Sequence, residues 1–398
     1  MVTKEEIGQV ALVRGLGPHV VEKDYLLGWV LAGIYQHVSL KNNWIFKGGT
    51  SFKKCHFETY RFSEDLDFTI VEPSHLNRDF LIETFSEISE WLFHQAGLEI
   101  PTELLSFEIF TNPRGSESCQ GKVGYRGPIS PRFGFRSLPR LKIELTFDEV
   151  VLLPSVERTI CHDYSDDPQK GISIRCYTPE EAFAEKICAL GQRARPRDLY
   201  DVINLLRNDE EQPNLSVLND LLRKKCAHHG SPVPTLVDVQ IKRKSLEDPW
   251  GSMLSHQLQK LPPFESYFNA LPEFFDWLEI GTLPSLSPID QMAAGEVVVR
   301  EPTMNLPVKL NTQIYLETIR FAAVNYLYVN LQYKQSTHRI EPYSLRRTKD
   351  GDLVLHAIRV TDGEHCRYQI DQIHGATAAQ QNFVPRYLVE LRSKIRPL

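Results

Sequence analysis

Hydrophobic residues recur along the chain with two different periods, and each period predicts a different element. In residues 20–37 and again in residues 75–97, apolar side chains return at helical spacing, which predicts two helices. In residues 141–147 apolar and polar positions alternate, and every second residue from Ile143 to Phe147 is apolar. Alternation of this kind predicts a strand with one buried face.

Short segments rich in β-forming residues, bounded by turn residues, predict further strands. The first is residues 43–47, and it ends at the Gly-Gly-Thr-Ser sequence of residues 48–51. The threonine or serine of that sequence can cap a helix over residues 52–59. The second strand is predicted over residues 66–71, directly after this helix.

A capping box marks the start of a later helix. Thr178 stands at the N-cap, Pro179 at the first helical position and Glu181 at the third. Another helical pattern follows Pro196, and residues 210–280 are typical of helices separated by proline-marked breaks. The later part of this region is therefore predicted to be helical.

The composition changes after residue 280. Residues 281–308 are rich in glycine, proline, serine and other small residues, which predicts a linker. Residues 309–398 begin with a helical pattern and continue as short β-like runs separated by the turns "KDGD" and "TDGE". We therefore expect an α+β protein with a domain over residues 1–280, a linker, and a small β-barrel or sheet over residues 309–398.

Composition excludes several classes of protein. The net charge is −6, and residues 301–398 are mildly basic while the preceding residues are acidic, so overall charge does not predict a nucleic-acid partner. Seven cysteines without a C-x-x-C pair favour reduced thiols over disulfides or a zinc site. No apolar run is long enough to span a membrane, and acidic residues near the N-terminus argue against a signal peptide, so a cytoplasmic location is expected.

Two acidic residues at the start of the second predicted strand suggest chemistry. Asp65 and Asp67 are two residues apart, so their side chains project from the same face of a strand. Two carboxylates this close repel each other unless a cation lies between them. Mg²⁺ prefers oxygen ligands and keeps phosphate oxygens in its shell, while the glycines of residues 48–51 allow a phosphate to approach backbone N–H groups. This combination predicts a site for a nucleotide and a metal.

Other charged residues could complete such a site. Glu144 lies on the polar face of its strand and is a candidate third carboxylate. Lys186 and Arg193 are two helical turns apart, so both could bind a triphosphate, and Asp198 and Asp201 are neighbours on the next helix. Each could instead belong to an ordinary solvated face or an exposed salt bridge. The order in which the motifs occur favours the catalytic interpretation.

This order of motifs resembles the DNA polymerase β-like nucleotidyltransferase superfamily and, within it, the AbiEii/MenT family of nucleotidyltransferase toxins. The resemblance implies a small mixed sheet with helices, followed by a helical part. It rests on "EKDYLLGWVL" (22–31), "FKGGTSFKK…RFSEDLDF" (46–68), "LKIELTF" (141–147), "EEAFAEKICALGQRARPRDLYDV" (180–202) and "LPPFESY" (261–267).

The resemblance also implies roles for individual positions. The implied ligands of Mg²⁺ are Asp65, Asp67 and Glu144. Lys186 and Asp201 complete the implied catalytic set, with Lys186 at the triphosphate and Asp201 as the essential acidic residue of the last motif. The residues implied to bind the nucleotide are Gly48, Gly49, Thr50, Ser51, Lys186 and Arg193.

Residues 315–390 resemble a second family, the WYL domain, which is a small Sm- or SH3-like β-barrel. The likeness rests on the segments "EPYSL", "RYQIDQI" and "FVPR", although the name-giving tripeptide is not intact and "NLQY" stands nearby. In that family, basic residues along the barrel are associated with a nucleic-acid or nucleotide-like ligand. The candidates here are His338, Arg339, Tyr343, Arg346 and Arg367, and the alternative is that they are ordinary surface residues.

Together these features predict a Mg²⁺-dependent nucleotidyltransferase toxin that transfers a nucleoside monophosphate from an NTP to an acceptor hydroxyl. The family likeness points to the 3′ end of tRNA as acceptor and to a cognate antitoxin protein, within a toxin–antitoxin or phage-defence system. Two alternatives stay open. The acceptor could be a protein or a small molecule, or the first domain could be inert and the protein a WYL regulator that binds nucleic acid.

Overall fold

The chain forms two β-sheets and a set of helices, as a computed structural model shows, and this confirms the predicted α+β class. The structure describes residues 1–56, 61–112, 114–130, 134, 138–168, 171–208, 212–283, 286–289 and 295–392. The helices are α1 (Lys4–Arg14), α2 (Pro18–Gln36), α3 (Gly48–Ser51), α4 (Arg78–Ala96), α5 (Pro179–Arg193), α6 (Pro196–Leu206), α7 (Leu215–His228), α8 (Leu236–Ile241), α9 (Arg243–Glu247), α10 (Trp250–Leu254), α11 (Phe264–Phe268), α12 (Leu271–Ile280) and α13 (Leu310–Val324). The strands are β1 (Trp44–Lys47), β2 (Asp65–Ile70), β3 (Leu105–Thr111), β4 (Glu117–Gly124), β5 (Arg140–Thr146), β6 (Val156–Thr159), β7 (Ser173–Cys176), β8 (Val297–Val298), β9 (Leu327–Tyr333), β10 (Ser336–Arg347), β11 (Leu353–Arg359), β12 (His365–Gln369) and β13 (Ile373–Asn382).

The first sheet is mixed and has the strand order β3-β4-β5-β2-β1-β7-β6. Its centre brings together strands that are far apart in sequence. Strand β1 runs antiparallel to β2 and places Lys47 opposite Asp67, while β5 runs parallel to β2 and places Glu144 opposite Asp67. The register of three neighbouring strands therefore puts one lysine and two carboxylates side by side.

Two hydrophobic cores support this sheet. In the first, helices α1, α2 and α4 pack with the sheet around aromatic residues such as Trp44, Phe68 and Phe85. The second core begins at α5 and α6, includes the helices up to α12, and continues without interruption into α13 and the C-terminal sheet. Helix α5, which carries the predicted Lys186, packs in this core against α6, α7, α8 and the helical turn Phe52–His56.

The turn after β1 differs from the prediction. A helix was expected over residues 52–59 with Thr50 or Ser51 as its cap, but α3 already begins at Gly48 and a π-helical turn follows over Phe52–His56. Residues 57–60 lie outside the described part of the chain. Gly48 has φ +79°, a left-handed conformation that glycine adopts readily, so the chain turns into the helix there. Thr50 and Ser51 are consequently inside the helix and do not cap it.

Two other local predictions hold in part. Thr178 caps α5 as predicted, and its hydroxyl accepts a hydrogen bond from the Glu181 N–H at 3.2 Å. The Glu181 carboxylate does not return to the cap. It accepts backbone N–H groups from the loop after β5 and pairs with Lys225 at 2.9 Å, because a buried carboxylate needs these stronger partners. Phe147 is 42% exposed, unlike Ile143 and Leu145, because β5 ends at Thr146.

The second sheet is antiparallel, with the order β12-β11-β10-β9-β13 and with β8 paired to β10. Within the described residues its two edge strands, β12 and β13, do not pair with each other, so the predicted closed barrel is not formed. The short 3-10 turn Ile370–Gln372 leads from β12 to the far edge, where β13 pairs with β9. Helix α13 packs across β9, β10 and β13.

The C-terminal sheet and its helix dock onto the back of α6. The amide oxygen of Asn325, at the end of α13, accepts hydrogen bonds from the hydroxyls of Tyr200 at 3.0 Å and Tyr267 at 2.5 Å. The Arg392 guanidinium donates to the backbone carbonyl of Asn204 at 3.3 Å. Helix α6 is therefore shared between the transferase-like region and the C-terminal region.

Strand β8 lies in the segment that was predicted as a linker. Val297 and Val298 pair with Arg347 and Arg346 of β10, so this end of the segment is part of the second sheet. The predicted domain boundaries at residues 280 and 309 stay a prediction. Across the described ranges, every helix is too short or too polar to cross a bilayer.

Candidate functional site

A cavity of about 290 Å³ opens between the middle of the first sheet and helix α5. It lies where the register of β1, β2 and β5 concentrates charge. Six of the residues singled out in the sequence line it, although they come from four separate elements. These are Gly48, Gly49, Asp67, Glu144, Lys186 and Arg193.

The acidic wall consists of cross-strand neighbours. Asp67 and Glu144 are directly opposite each other and line the cavity, whereas Asp65 lies two residues before Asp67 on the same face of β2 and does not line it. Burial raises the pKa of Asp67 to about 7, and the charges of Glu144 and Asp65 add to the rise. The ionised form of this carboxyl is thus disfavoured unless a cation comes close.

These carboxylates fit a magnesium ion as a partial ligand set. Their oxygens are the hard donors that Mg²⁺ prefers, and a dication beside Asp67 would reverse the rise in its pKa. In the part of the chain that the structure describes, no group of three or more His, Cys, Asp or Glu side chains is arranged to hold a metal alone. The remaining ligands would be phosphate oxygens and water, as is usual for Mg²⁺ at phosphate sites.

The glycine turn forms the floor of the cavity. A Cβ at Gly48 would overlap the Asp67 carboxylate, so only glycine lets the backbone pass this close to the acid. A Cβ at Gly49 would lie 2.7 Å from the Arg61 guanidinium. Thr50 and Ser51 do not line the cavity. Both are buried, and the Thr50 hydroxyl donates to the Asp65 carbonyl oxygen at 2.6 Å.

The basic wall is an ion-pair network between α5 and α6. Lys186 lies 2.9 Å from Asp201 and 3.3 Å from Asp198, and Arg193 holds Asp198 through two bonds of 2.8 and 3.0 Å. The Arg61 guanidinium donates two parallel hydrogen bonds, of 2.9 and 2.8 Å, to the two carboxylate oxygens of Asp201. Burial alone would raise the pKa of Asp198, but Lys186 and Arg193 lower it to about 2.

This network differs from the ordinary alternatives that the sequence left open. Lys186 and Arg193 do not pair with the glutamates of their own helix, and Asp201 does not form an exposed salt bridge within α6. Asp198 and Asp201 are 1% and 2% exposed, so they stand behind Lys186 and Arg193 and do not line the cavity. Their contacts make them supports of the basic wall.

The far side of the cavity contains charged residues that the sequence analysis missed. Lys47 lies 3.1 Å from Glu185 and 3.9 Å from Glu149. Glu149 also accepts from Arg114 at 3.0 Å and lies 3.5 Å from His229. Burial opposes the charged form of Lys47, but Glu185 and Glu149 raise its pKa above the ordinary value. Lys47 could have been found from the sequence, because it is the last residue of a strand that the sequence predicts. Arg114 and His229 could not, because neither follows a periodic pattern.

The candidate residues of the C-terminal sheet do not form one exposed surface. Tyr343 and Arg346 are fully buried. The Tyr343 hydroxyl donates to Glu341 at 2.9 Å. Arg346 lies 3.6 Å from Glu296, which also pairs with Arg367. The structure therefore brings Arg346 and Arg367 together on one buried carboxylate.

The other two candidates lie elsewhere on this sheet. The His338 ring contacts Tyr333 and Tyr368 edge-on. The Arg339 guanidinium lies 4.5 Å above the ring of Tyr328. Both basic groups are partly exposed and rest on aromatic rings, an arrangement that leaves their outer faces to solvent.

Comparison with known proteins gives this cavity a context. The family model "Nucleotidyl transferase AbiEii toxin, Type IV TA system" matches residues 29–279. Among solved structures, the chain is similar to MenT4, a nucleotidyltransferase toxin from Mycobacterium tuberculosis H37Rv, with 20% identity and a TM-score of 0.42 over 72% of this chain and 91% of that one. It is also similar to proteasome accessory factor B/C of Arthrobacter aurescens, with 11% identity and a TM-score of 0.20 over 98% of this chain and 74% of that one. No protein of curated function gives a significant match. Because the family model covers more than half of the chain, the protein belongs to the AbiEii family of nucleotidyltransferase toxins of type IV toxin–antitoxin systems.

Proposed function

We propose that this nucleotidyltransferase moves a nucleoside monophosphate from an NTP to the terminal hydroxyl at the 3′ end of tRNA and releases pyrophosphate. The observation that carries the proposal is the convergence of Gly48, Asp67, Glu144, Lys186 and Arg193 on one cavity. A floor of backbone, an acidic wall and a basic wall are what a triphosphate beside a reacting hydroxyl requires.

The basic wall supplies the charge that binds the triphosphate. The ion-pair network has a net charge of +1, because it joins three cations to two carboxylates. The cations are Lys186, Arg193 and Arg61, and the carboxylates are Asp198 and Asp201. Only Lys186 and Arg193 face the cavity, so this excess is directed at the substrate. The floor can approach a phosphate closely because Gly48 and its neighbour Gly49 present no side chain.

The acidic wall would hold Mg²⁺ through Asp67 and Glu144, while Asp65, which does not line the cavity, stays a predicted third ligand. When bound, the ion would lower the pKa of the acceptor hydroxyl and neutralise charge on the leaving pyrophosphate. Lys47 is the residue opposite Asp67 in the sheet, and its positive charge favours the ionised form of that carboxyl. Lys47 thus offsets part of the rise in the pKa of Asp67, and a bound metal ion would offset the rest.

Membership of a type IV toxin–antitoxin family implies an antitoxin that restrains the activity. The likeness of residues 315–390 to a WYL domain stays a prediction. We propose that this region binds a nucleic acid or a nucleotide-like ligand. The partly exposed His338 and Arg339 support it, whereas Tyr343 and Arg346 would act from inside the sheet.

A labelling assay tests the transfer reaction. The protein is incubated with each of the four α-labelled NTPs and Mg²⁺, and with either total tRNA or total cellular protein as acceptor. We expect label in tRNA only, and a loss of at least about 100-fold for Asp67→Asn, because the metal ligand is removed. EDTA should have the same effect.

Other results would contradict parts of the proposal. Label in protein would show that the acceptor is wrong. Unchanged transfer by Asp67→Asn, with the variant folded by circular dichroism, would show that the acidic wall has no catalytic role. Absence of label from every acceptor would favour a regulator in which the C-terminal sheet matters.

A further inference from the structure

Arg61 is almost completely buried, and hydrogen bonds hold its guanidinium in one orientation. Two of its nitrogens donate to the two oxygens of Asp201 at 2.9 and 2.8 Å, and a third donates to the side-chain oxygen of Gln257 at 2.9 Å. Parallel bonds of this kind fix both the distance and the orientation of a carboxylate. Asp201 is therefore held in a single position.

The position of Asp201 determines that of Lys186. The lysine ammonium lies 2.9 Å from an oxygen of Asp201 that Arg61 also binds. Lys186 then reaches Asp198, which Arg193 holds from the other side. The result is an alternating chain of cations and carboxylates, and only Lys186 and Arg193 face the cavity.

Charge balance gives Arg61 a second effect. Without it, Lys186 and Arg193 would face two carboxylates and the group would be neutral. Arg61 binds both oxygens of Asp201 and compensates the charge of that carboxylate, so the attraction between Asp201 and Lys186 is weaker. The ammonium can then be shared with an anionic ligand in the cavity.

The same guanidinium also contacts the floor of the cavity. A Cβ on Gly49 would lie 2.7 Å from Arg61, so the glycine turn packs directly on the guanidinium. The chain from Arg61 leads, four residues later, into the strand that begins with Asp65. One buried side chain thus touches the phosphate-binding floor and the support of the basic wall.

We infer that Arg61 is a positioning residue for the nucleotide, which sets the place of Lys186 through Asp201. The inference rests on the proposed NTP site, but not on the nature of the acceptor. It predicts that Arg61 acts on NTP affinity through Lys186, although it does not line the cavity itself.

A binding cycle tests this inference without any transfer reaction. The affinity of the wild type for each of the four α,β-methylene nucleoside triphosphates is measured with Mg²⁺ by calorimetry, and the tightest is used further. Lys186→Met should weaken binding by about tenfold because it removes the ammonium that faces the cavity, and Arg61→Met by a similar factor because Asp201 then holds that ammonium more strongly. The double variant should bind no more than about twofold more weakly than Lys186→Met, because both act through the same ammonium.

Arg320 provides a matched control. It lies on helix α13 and is also fully buried. Its guanidinium donates to two backbone carbonyls and to the Thr303 hydroxyl. Arg320→Met should bind the nucleotide within about twofold of the wild type, even if it loses stability to a similar degree. A loss of affinity as large as that of Arg61→Met would show a general effect of removing a buried arginine, and would overturn the inference.

Further outcomes decide between the roles. Wild-type affinity in a folded Arg61→Met overturns the inference, and so does a double variant in which the two losses multiply. If Arg61→Met fails to fold, Arg61→Lys carries the test, because it keeps the charge and loses the parallel bonds. Its affinity should fall by about threefold or more, and wild-type affinity would overturn the role of the guanidinium. Nucleotide binding with this pattern but without transfer to tRNA would instead contradict the proposed acceptor alone.

Discussion

Replacing Gly48 by alanine tests whether the glycine turn and the acidic wall form one unit. Gly48 has φ +79°, a conformation that costs a residue with a Cβ about 1–2 kcal/mol. The added methyl would also overlap the carboxylate of Asp67. To regain van der Waals separation, that carboxylate would have to move by more than about 1 Å.

Gly363 offers a control for the backbone cost alone. It has φ +73° in a turn of the C-terminal sheet, and nothing lies within 4 Å of a Cβ built there. Gly363→Ala should therefore lower the free energy of unfolding by about 1–2 kcal/mol and leave transfer unchanged. Any further loss of stability or of transfer rate in Gly48→Ala is then due to the contact with Asp67.

Initial rates of label transfer from NTP to tRNA, together with urea denaturation, measure the two effects separately. Displacement of a catalytic group by this distance lowers rates by about 100-fold, so Gly48→Ala should lose about that factor while remaining folded. A rate close to wild type would refute the claim that the turn and Asp67 share one space. An equal loss of rate in Gly363→Ala would refute the separation of strain from contact.

Two further predictions concern stability. Burial lowers the pKa of His162 to about 3, so the unfolded chain, with an imidazole pKa near 6.5, binds more protons in mild acid and stability is lost as the pH falls below 6.5. His162→Asn should reduce the loss of unfolding free energy between pH 7 and pH 5 by about 2 kcal/mol in urea titrations, and an unchanged loss would assign the acid sensitivity to other groups. Asn325→Ala should lower the unfolding free energy at pH 7 by about 1–3 kcal/mol, because the buried Tyr200 and Tyr267 hydroxyls lose their shared acceptor. No change in that titration would mean that water replaces the amide.

Local patterns in the sequence were sufficient for the elements that build the acidic wall. The alternation around Glu144 and the spacing of Asp65 and Asp67 depend only on the period of a strand. The pairing of these strands depends on which hydrophobic faces meet in the core, and the family resemblance supplied it where periodicity could not. The predicted start of the helix at residue 52 was wrong because the left-handed Gly48 begins the helical turn four residues earlier.

Long-range pairing of charges was beyond sequence reasoning. Arg61 and Asp201 are 140 residues apart, and nothing in either local pattern indicates that they meet. Arg346 was proposed as an accessible ligand residue, but β10 is buried over residues 340–346, on both faces. Alternation cannot reveal burial when both faces are covered, and an arginine is tolerated there because Glu296 and Glu390 lie near it.

Because helix α6 contacts both the transferase-like region and the C-terminal region, the evolution of the two regions is coupled. One side of its 11 residues carries Asp198 and Asp201, and another carries Tyr200 and Asn204, which contact the C-terminal region directly or through neighbouring side chains. A gene rearrangement that removed the C-terminal sheet would expose the back of the helix that aligns Lys186. We therefore expect the two regions to be inherited together, and domain-swapped chimaeras to function only when the partner of α6 is exchanged with it.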